Sequence, residues 1–227
     1  MKKTFAIGIV FMTLVLLSPL ALVSCAGNEG TGNTSNLPFV EVREYEGVNL
    51  SSINEFRENS IAGPQYIDLE TYKLKITGLV ENPVEYTYDE VLGGYQQYEK
   101  VVALNCVEGW SVKILWEGVL VSDLIQSAGV SPGAKVVIFH AYDGYTTSLP
   151  LDYIIDNKIL RAYKMNDVVL PPQRGAPFQL VAESKWGYKW IKWITEIELS
   201  DNENYKGFWE RRGYSNEGNL DEYYFGN

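Results

Sequence analysis

Histidine is almost absent and cysteine is scarce: the 227 residues contain one of the first and two of the second. A four-ligand zinc site needs more nitrogen and sulfur donors than that, and a cysteine-nucleophile enzyme would have to place its only imidazole beside its thiol. Basic residues are also few. With 19 Lys and Arg against 29 Asp and Glu the formal charge is −10, which speaks against nucleic acid as a partner. What remains is ordinary globular composition, 46% hydrophobic and 21% charged, enough for one large or two small domains. Aromatics are plentiful. Sixteen Tyr and six Trp supply stiff contact surfaces and a core able to hold a planar ligand.

Lys2 and Lys3 precede an apolar run from Phe5 to Leu17, and Ser18-Pro19 breaks it before Leu20-Ala21-Leu22-Val23-Ser24-Cys25. This is the layout of a secretory signal, with a transmembrane anchor as the alternative. Leu22 to Cys25 resembles a bacterial lipoprotein lipobox, in which Cys25 becomes the lipid-modified first residue. Residues 26–36 are Gly, Asn, Thr and Ser without apolar period and read as a flexible tether. The expected division is therefore a signal at 1–24, a tether at 25–36 and a domain at 37–227, lipid-anchored outside the cytoplasm. With Cys25 carrying lipid, Cys106 is a lone thiol and no intrachain disulfide can form. Such a thiol is either a buried small hydrophobe or a thiolate used by a metal or as a nucleophile.

The domain reads as α+β and rich in short strands. Tyr72 to Thr77 and Thr195 to Leu199 alternate in the manner of half-buried strands, and Lys135 to His140 is a β-branched run. Asp143-Gly144 predicts a hairpin turn with positive φ at both positions, and Asn166-Asp167 predicts another. Short helices are expected at Tyr88 to Leu92, Val121 to Ala128 and Leu151 to Ile155. His140, at a strand end, reads as a structural side chain.

Three stretches are candidates for chemistry. Val101 to Asn105 is a buried-looking strand that runs into Cys106, with Glu108, Gly109 and Trp110 following. A strand end before a tight loop presents a side chain rigidly, as a metal ligand requires. Leu170 to Phe178 is stiffened by three Pro and carries Arg174, suited to anion capture. Lys185 to Trp193 sets three Lys among four large aromatics, where Lys185, Lys189 and Lys192 with backbone N–H groups could hold a phosphate beside a flat ring. The plain readings are core strand, connector and an edge strand whose Lys deter aggregation.

The ordered set Asn105-Cys106-Val107-Glu108-Gly109-Trp110-Ser111, Trp116-Glu117-Gly118, Asp143-Gly144-Tyr145, Leu170-Pro171-Pro172, Gly175-Ala176-Pro177, Trp186-Gly187-Tyr188-Lys189 and Phe208-Trp209-Glu210 resembles the molybdopterin-binding domain of the sulfite oxidase fold. It is most similar to the branch containing the periplasmic molybdenum-dependent methionine sulfoxide reductase catalytic subunit, and the likeness covers roughly residues 59 to 212. The resemblance implies that Cys106 supplies a thiolate to molybdenum, with tungsten as the alternative metal. Pterin and phosphate contacts would fall on Arg174, Gln179 and Trp190-Ile191-Lys192, with upstream contacts near Asn59, Ser60 and Ile61; Asn105 beside the thiol, and Lys185 and Lys189 from the cationic aromatic stretch, are further candidates for the cofactor. The implied reaction is oxygen-atom transfer, with electrons exchanged with a membrane haem or quinol-linked partner and a small-molecule or protein-bound oxo substrate.

Three departures qualify the likeness. Sulfite oxidases follow the Cys with an Arg-rich stretch, whereas Glu108 and Trp110 stand here, so sulfite is disfavoured and Glu108 becomes a candidate proton carrier. Arg174 and Gln179 stand where relatives have His or Asn and then Arg. Lys2-Lys3 replaces the twin Arg of folded-state export, which points to cofactor loading outside the cell. The competing class is a non-catalytic lipoprotein that keeps the fold to bind a ligand or partner.

Overall fold

The computed structural model describes residues 40–226. The signal at 1–24, Cys25 and the tether at 25–36 lie outside the described residues. A short hairpin of β1 (Glu44–Tyr45) and β2 (Val48–Asn49) leads into β3 (Leu74–Gly78) and β4 (Val84–Tyr86). Next come α1 (Tyr88–Gly94), β5 (Gln97–Asn105), β6 (Ser111–Leu120) and α2 (Val121–Ser127). Then follow β7 (Val136–Ala141), β8 (Thr146–Pro150), α3 (Leu151–Asp156), β9 (Leu160–Met165) and β10 (Val168–Val169). β11 (Gln179–Val181) and β12 (Ile194–Ser200) close the series. One sheet is ordered β10-β9-β6-β5 with β11 also on β9, and the other β4-β3-β12-β7-β8. Only β3 and β12 pair in parallel, so the chain is α+β without a βαβ wind.

Local chemistry explains the pieces. Thr87 caps α1 by accepting from the Glu90 N–H while its own N–H donates to the Glu90 carboxylate, the reciprocal arrangement of a capping box. β7 is buried along Val136-Val137-Ile138-Phe139 because β12 and β8 flank it on both edges. Apolar side chains of both sheets and of the helices, among them Ile76, Trp116, Leu124, Phe139, Ile154 and Ile197, form one core. His140 bonds Glu198 across the β7–β12 pair at 2.8 Å and is not part of any site described below.

Two expectations need correction. Tyr72 precedes β3 and is buried by its hydroxyl's bond to the Ile194 carbonyl, so the strand begins at Leu74. At the β7–β8 turn only Gly144 has positive φ; its N–H reaches back to Ala141 at 3.1 Å, and Asp143 accepts from the Tyr145 N–H. This is a longer turn closed by a left-handed Gly, and it leaves Asp143 at the mouth of a cavity. The Asn166-Asp167 turn between β9 and β10 has positive φ at both positions.

Candidate active site

The β5–β6 hairpin pairs Asn105 with Ser111, so Cys106 is the first of five connecting residues. Its N–H donates to the Trp110 carbonyl at 2.9 Å, and the Gly109 N–H returns to the Cys106 carbonyl at 3.0 Å. Gly109 sits at φ 83°, a conformation that a side chain would strain. The turn fixes the thiol at the floor of a cavity of about 280 Å³. Burial pushes the Cys106 thiol up, while N–H groups of Glu108, Val107 and Asn59 pull the other way, and Asn59 Nδ2 lies 3.7 Å from Sγ. Glu108 is exposed on the rim. Donors from Asn59 and Trp110 hold its carboxyl below the usual range, and Trp110 Nε1 is 3.1 Å away.

Several expected residues converge on this cavity. Asn59, Ser60 and Ile61 come from an irregular strap above β5, and Arg174 and Gln179 from the Pro-rich loop and the start of β11. Trp190, Ile191 and Lys192 complete the far side. Asn105, Lys185 and Lys189 do not line it. Asn105 is held in the strand pair and bridges to Trp186. Lys185 Nζ donates to Asn219 Oδ1 and lies 4.5 Å from the Tyr153 ring centroid. Lys189 Nζ is fully buried, 2.6 Å from Glu210 Oε1 and 3.0 Å from the Ser148 carbonyl. The 185–193 stretch is thus an irregular connection with one 3-10 turn at Gly187–Lys189, and of its three ammonium groups, all paired within the chain, only that of Lys192 also lines the cavity.

Arg174 also has work within the chain: Nε donates to the Ile53 carbonyl at 3.2 Å and an Nη to the Phe56 carbonyl at 3.0 Å, with the guanidinium over the Phe56 ring. Lys192 Nζ is 2.8 Å from Glu58 Oε1. Burial lowers both cations from their ordinary values. Sequence reasoning missed Arg57, Trp209 and Tyr214 as cavity residues. Trp209 was visible in Phe208-Trp209-Glu210, but Tyr214 lies beyond the recognisable stretch and carried no signal.

Residues 61–209 match the family model described as the oxidoreductase molybdopterin binding domain. The chain belongs to this family. The oxidoreductase YuiH of Bacillus subtilis (strain 168) is 38% identical over 152 residues, covering 66% of this chain and 76% of YuiH. The catalytic subunit MsrP of a protein-methionine-sulfoxide reductase from Gluconobacter oxydans is 30% identical over 190 residues, 76% of this chain and 60% of MsrP. The sulfane dehydrogenase SoxCD from Paracoccus pantotrophus shares the fold with a TM-score of 0.62 at 23% identity, over 70% of this chain and 44% of its own. This molybdopterin oxidoreductase domain therefore has the sulfite oxidase fold, and the chain spans 60% of the length of MsrP and 44% of SoxCD.

The residues present suit the family's cofactor, molybdopterin with molybdenum. Ser60 Oγ is buried in the cavity with no hydrogen-bond partner among the described residues, and Gln179 is 3% exposed there. A planar, anionic group in this cavity would meet the cations of Lys192 and Arg174 together with the indoles of Trp110, Trp190, Trp193 and Trp209. A soft thiolate suits molybdenum, and Cys106 is the residue that would ligate it, with the cofactor supplying further ligands.

Proposed function

We propose that the chain is an exported, lipid-anchored molybdopterin enzyme that removes an oxygen atom from a sulfoxide or similar neutral oxo substrate. The observation that carries this is the buried thiol of Cys106, the one cysteine among the described residues, in the lining of a cavity that Trp110, Trp209 and Tyr214 also line. Reduction of a sulfoxide consumes two electrons and two protons and yields a sulfide and water. When bound, the cofactor supplies the oxygen-accepting centre and the two-electron chemistry.

The chain's own residues do the rest. Cys106 Sγ ligates the metal and Asn59 orients it through the amide donor. Lys192, Gln179 and Ser60 hold the polar end of the pterin. Trp110, Trp209 and Tyr214 exclude water and grip a methyl–sulfur group, since sulfur packs well on aromatic edges. Glu108, two residues from Cys106, puts a carboxylate beside the thiol and disfavours an anionic substrate such as sulfite there. Electrons come from a haem or quinol-linked membrane protein, within reach of a lipid on Cys25. No helix among the described residues is long and apolar enough to cross a membrane.

The test is metal analysis of protein purified from its native membrane, as molybdenum and tungsten per chain, with Cys106→Ser alongside. About one metal per wild-type chain is expected, and a folded variant without metal. Full occupancy in Cys106→Ser would overturn the ligand assignment. Metal-free wild type from a host with intact loading machinery would favour the non-catalytic binding lipoprotein.

A further inference from the structure

Residues 53–61 form no helix or strand, yet they cover the cavity. Ile53 and Phe56 anchor the start of the segment by packing on the core, with the Ile53 N–H donating to Glu41 at 2.8 Å, and three further tethers lead to the cavity. Arg174 donates to the carbonyls of Ile53 and Phe56, Lys192 pairs with Glu58, and the Asn59 amide reaches Cys106 Sγ. Each of the three partners, Arg174, Lys192 and Cys106, also lines the cavity. These three groups that keep the strap closed are therefore also groups that face whatever the cavity binds.

We propose that Glu58 is the chain's own occupant of the anion position at Lys192, and that an anionic group arriving there displaces it and releases the strap. Resting on the molybdopterin reading, this makes Glu58 an internal competitor of the cofactor's phosphate and a control on loading. The Lys192 side chain is 15% exposed and that of Glu58 31%, so the ammonium is largely out of water and gains from any anion that reaches it. Apart from Glu58 it has the Gln173 carbonyl at 3.4 Å and the Trp193 ring, whose centroid lies 4.3 Å away, and neither carries a negative charge. An ammonium engaged by phosphate has no equal position left for the carboxylate, and two like charges at one cation repel. Binding at Lys192 and closure of the strap are thus linked: each weakens the other by the same factor.

Arg57 is exposed next to Glu58, which makes strap opening readable by trypsin. The experiment uses the full chain produced in a host unable to make molybdopterin, with inorganic pyrophosphate as the probe. Titration calorimetry gives the affinity, and the rate of cleavage after Arg57 reports the strap. In wild type, pyrophosphate is expected to speed that cleavage. In Glu58→Gln, cleavage is fast without the probe, and pyrophosphate binds about fivefold tighter, the scale of a partly exposed ion pair. Lys192→Gln is expected to bind none. Equal affinities in wild type and Glu58→Gln, no binding to either, or a cleavage rate indifferent to Glu58→Gln would each overturn the proposal. None of these readouts involves molybdenum, so metal-free native protein would defeat the proposed function without touching this result.

Discussion

The two walls of the cavity are held in opposite ways. The strap is tethered by Arg174, Lys192 and Cys106, all open to a ligand. The opposite wall, which carries Trp209 and Tyr214, is pinned from behind. Glu210 Oε1 accepts from Lys189 Nζ and Thr147 Oγ1, each at 2.6 Å, with no side-chain exposure in either member of the ion pair. The approach is close: the Phe208 N–H donates to the Thr146 carbonyl at 2.8 Å, and a Cβ on Gly207 would lie 2.2 Å from that oxygen. One wall is fixed by groups no ligand can reach, the other by groups a ligand needs. A site built this way has a permanent side and a negotiable side.

Breaking the permanent side carries the largest effect. Glu210→Ala strands the Lys189 ammonium in the core and is expected to cost about 3–5 kcal/mol in urea unfolding; Lys189→Met with Glu210→Leu should recover most of it. Alkali attacks the same wall. The hydroxyls of Tyr145 and Tyr188 donate to the carbonyls of Tyr188 and Ser215, and burial, with the nearby Glu210 charge, pushes both phenols up. Their folded values lie above the unfolded value of about 10, so the stability they contribute is present below pH ~10 and lost as pH rises beyond it. Phenolate absorbance and loss of circular dichroism should therefore appear together in a pH titration. Arg174→Ala tests the negotiable side and is smaller, about 1–2 kcal/mol. It should accelerate cleavage after Arg57 while leaving the alkaline transition where it was, and a shift in that transition would erase the distinction between the walls.

The sequence made the floor of the site legible and hid the walls. A lone Cys at a strand end, a Gly three residues on and an apolar strand before it are local signals, and the hairpin follows from them. The three prolines of the loop are visible in sequence, but residue type alone cannot say that Arg174 spends its donors on the carbonyls of Ile53 and Phe56, more than a hundred positions away in sequence. Lys189 looked like a phosphate ligand because charge is visible in sequence and its counter-carboxylate on Glu210 is not. Arg161 is the extreme case. It lies inside β9, fully buried, with no partner for its three guanidinium nitrogens among the described residues and its charge over the Phe178 ring at 3.5 Å. Desolvation pulls it down to about 10. Its strand reads from neighbouring Leu160, Ala162 and Met165, and nothing in that pattern announces a buried cation.

Four of the six tryptophans, Trp110, Trp190, Trp193 and Trp209, line the cavity. The intrinsic fluorescence of the molecule is therefore weighted towards its binding site. A pterin absorbs where indoles emit, so its arrival would quench that emission by energy transfer over a few ångströms. The chain carries its own optical gauge of occupancy, readable in real time and without a label.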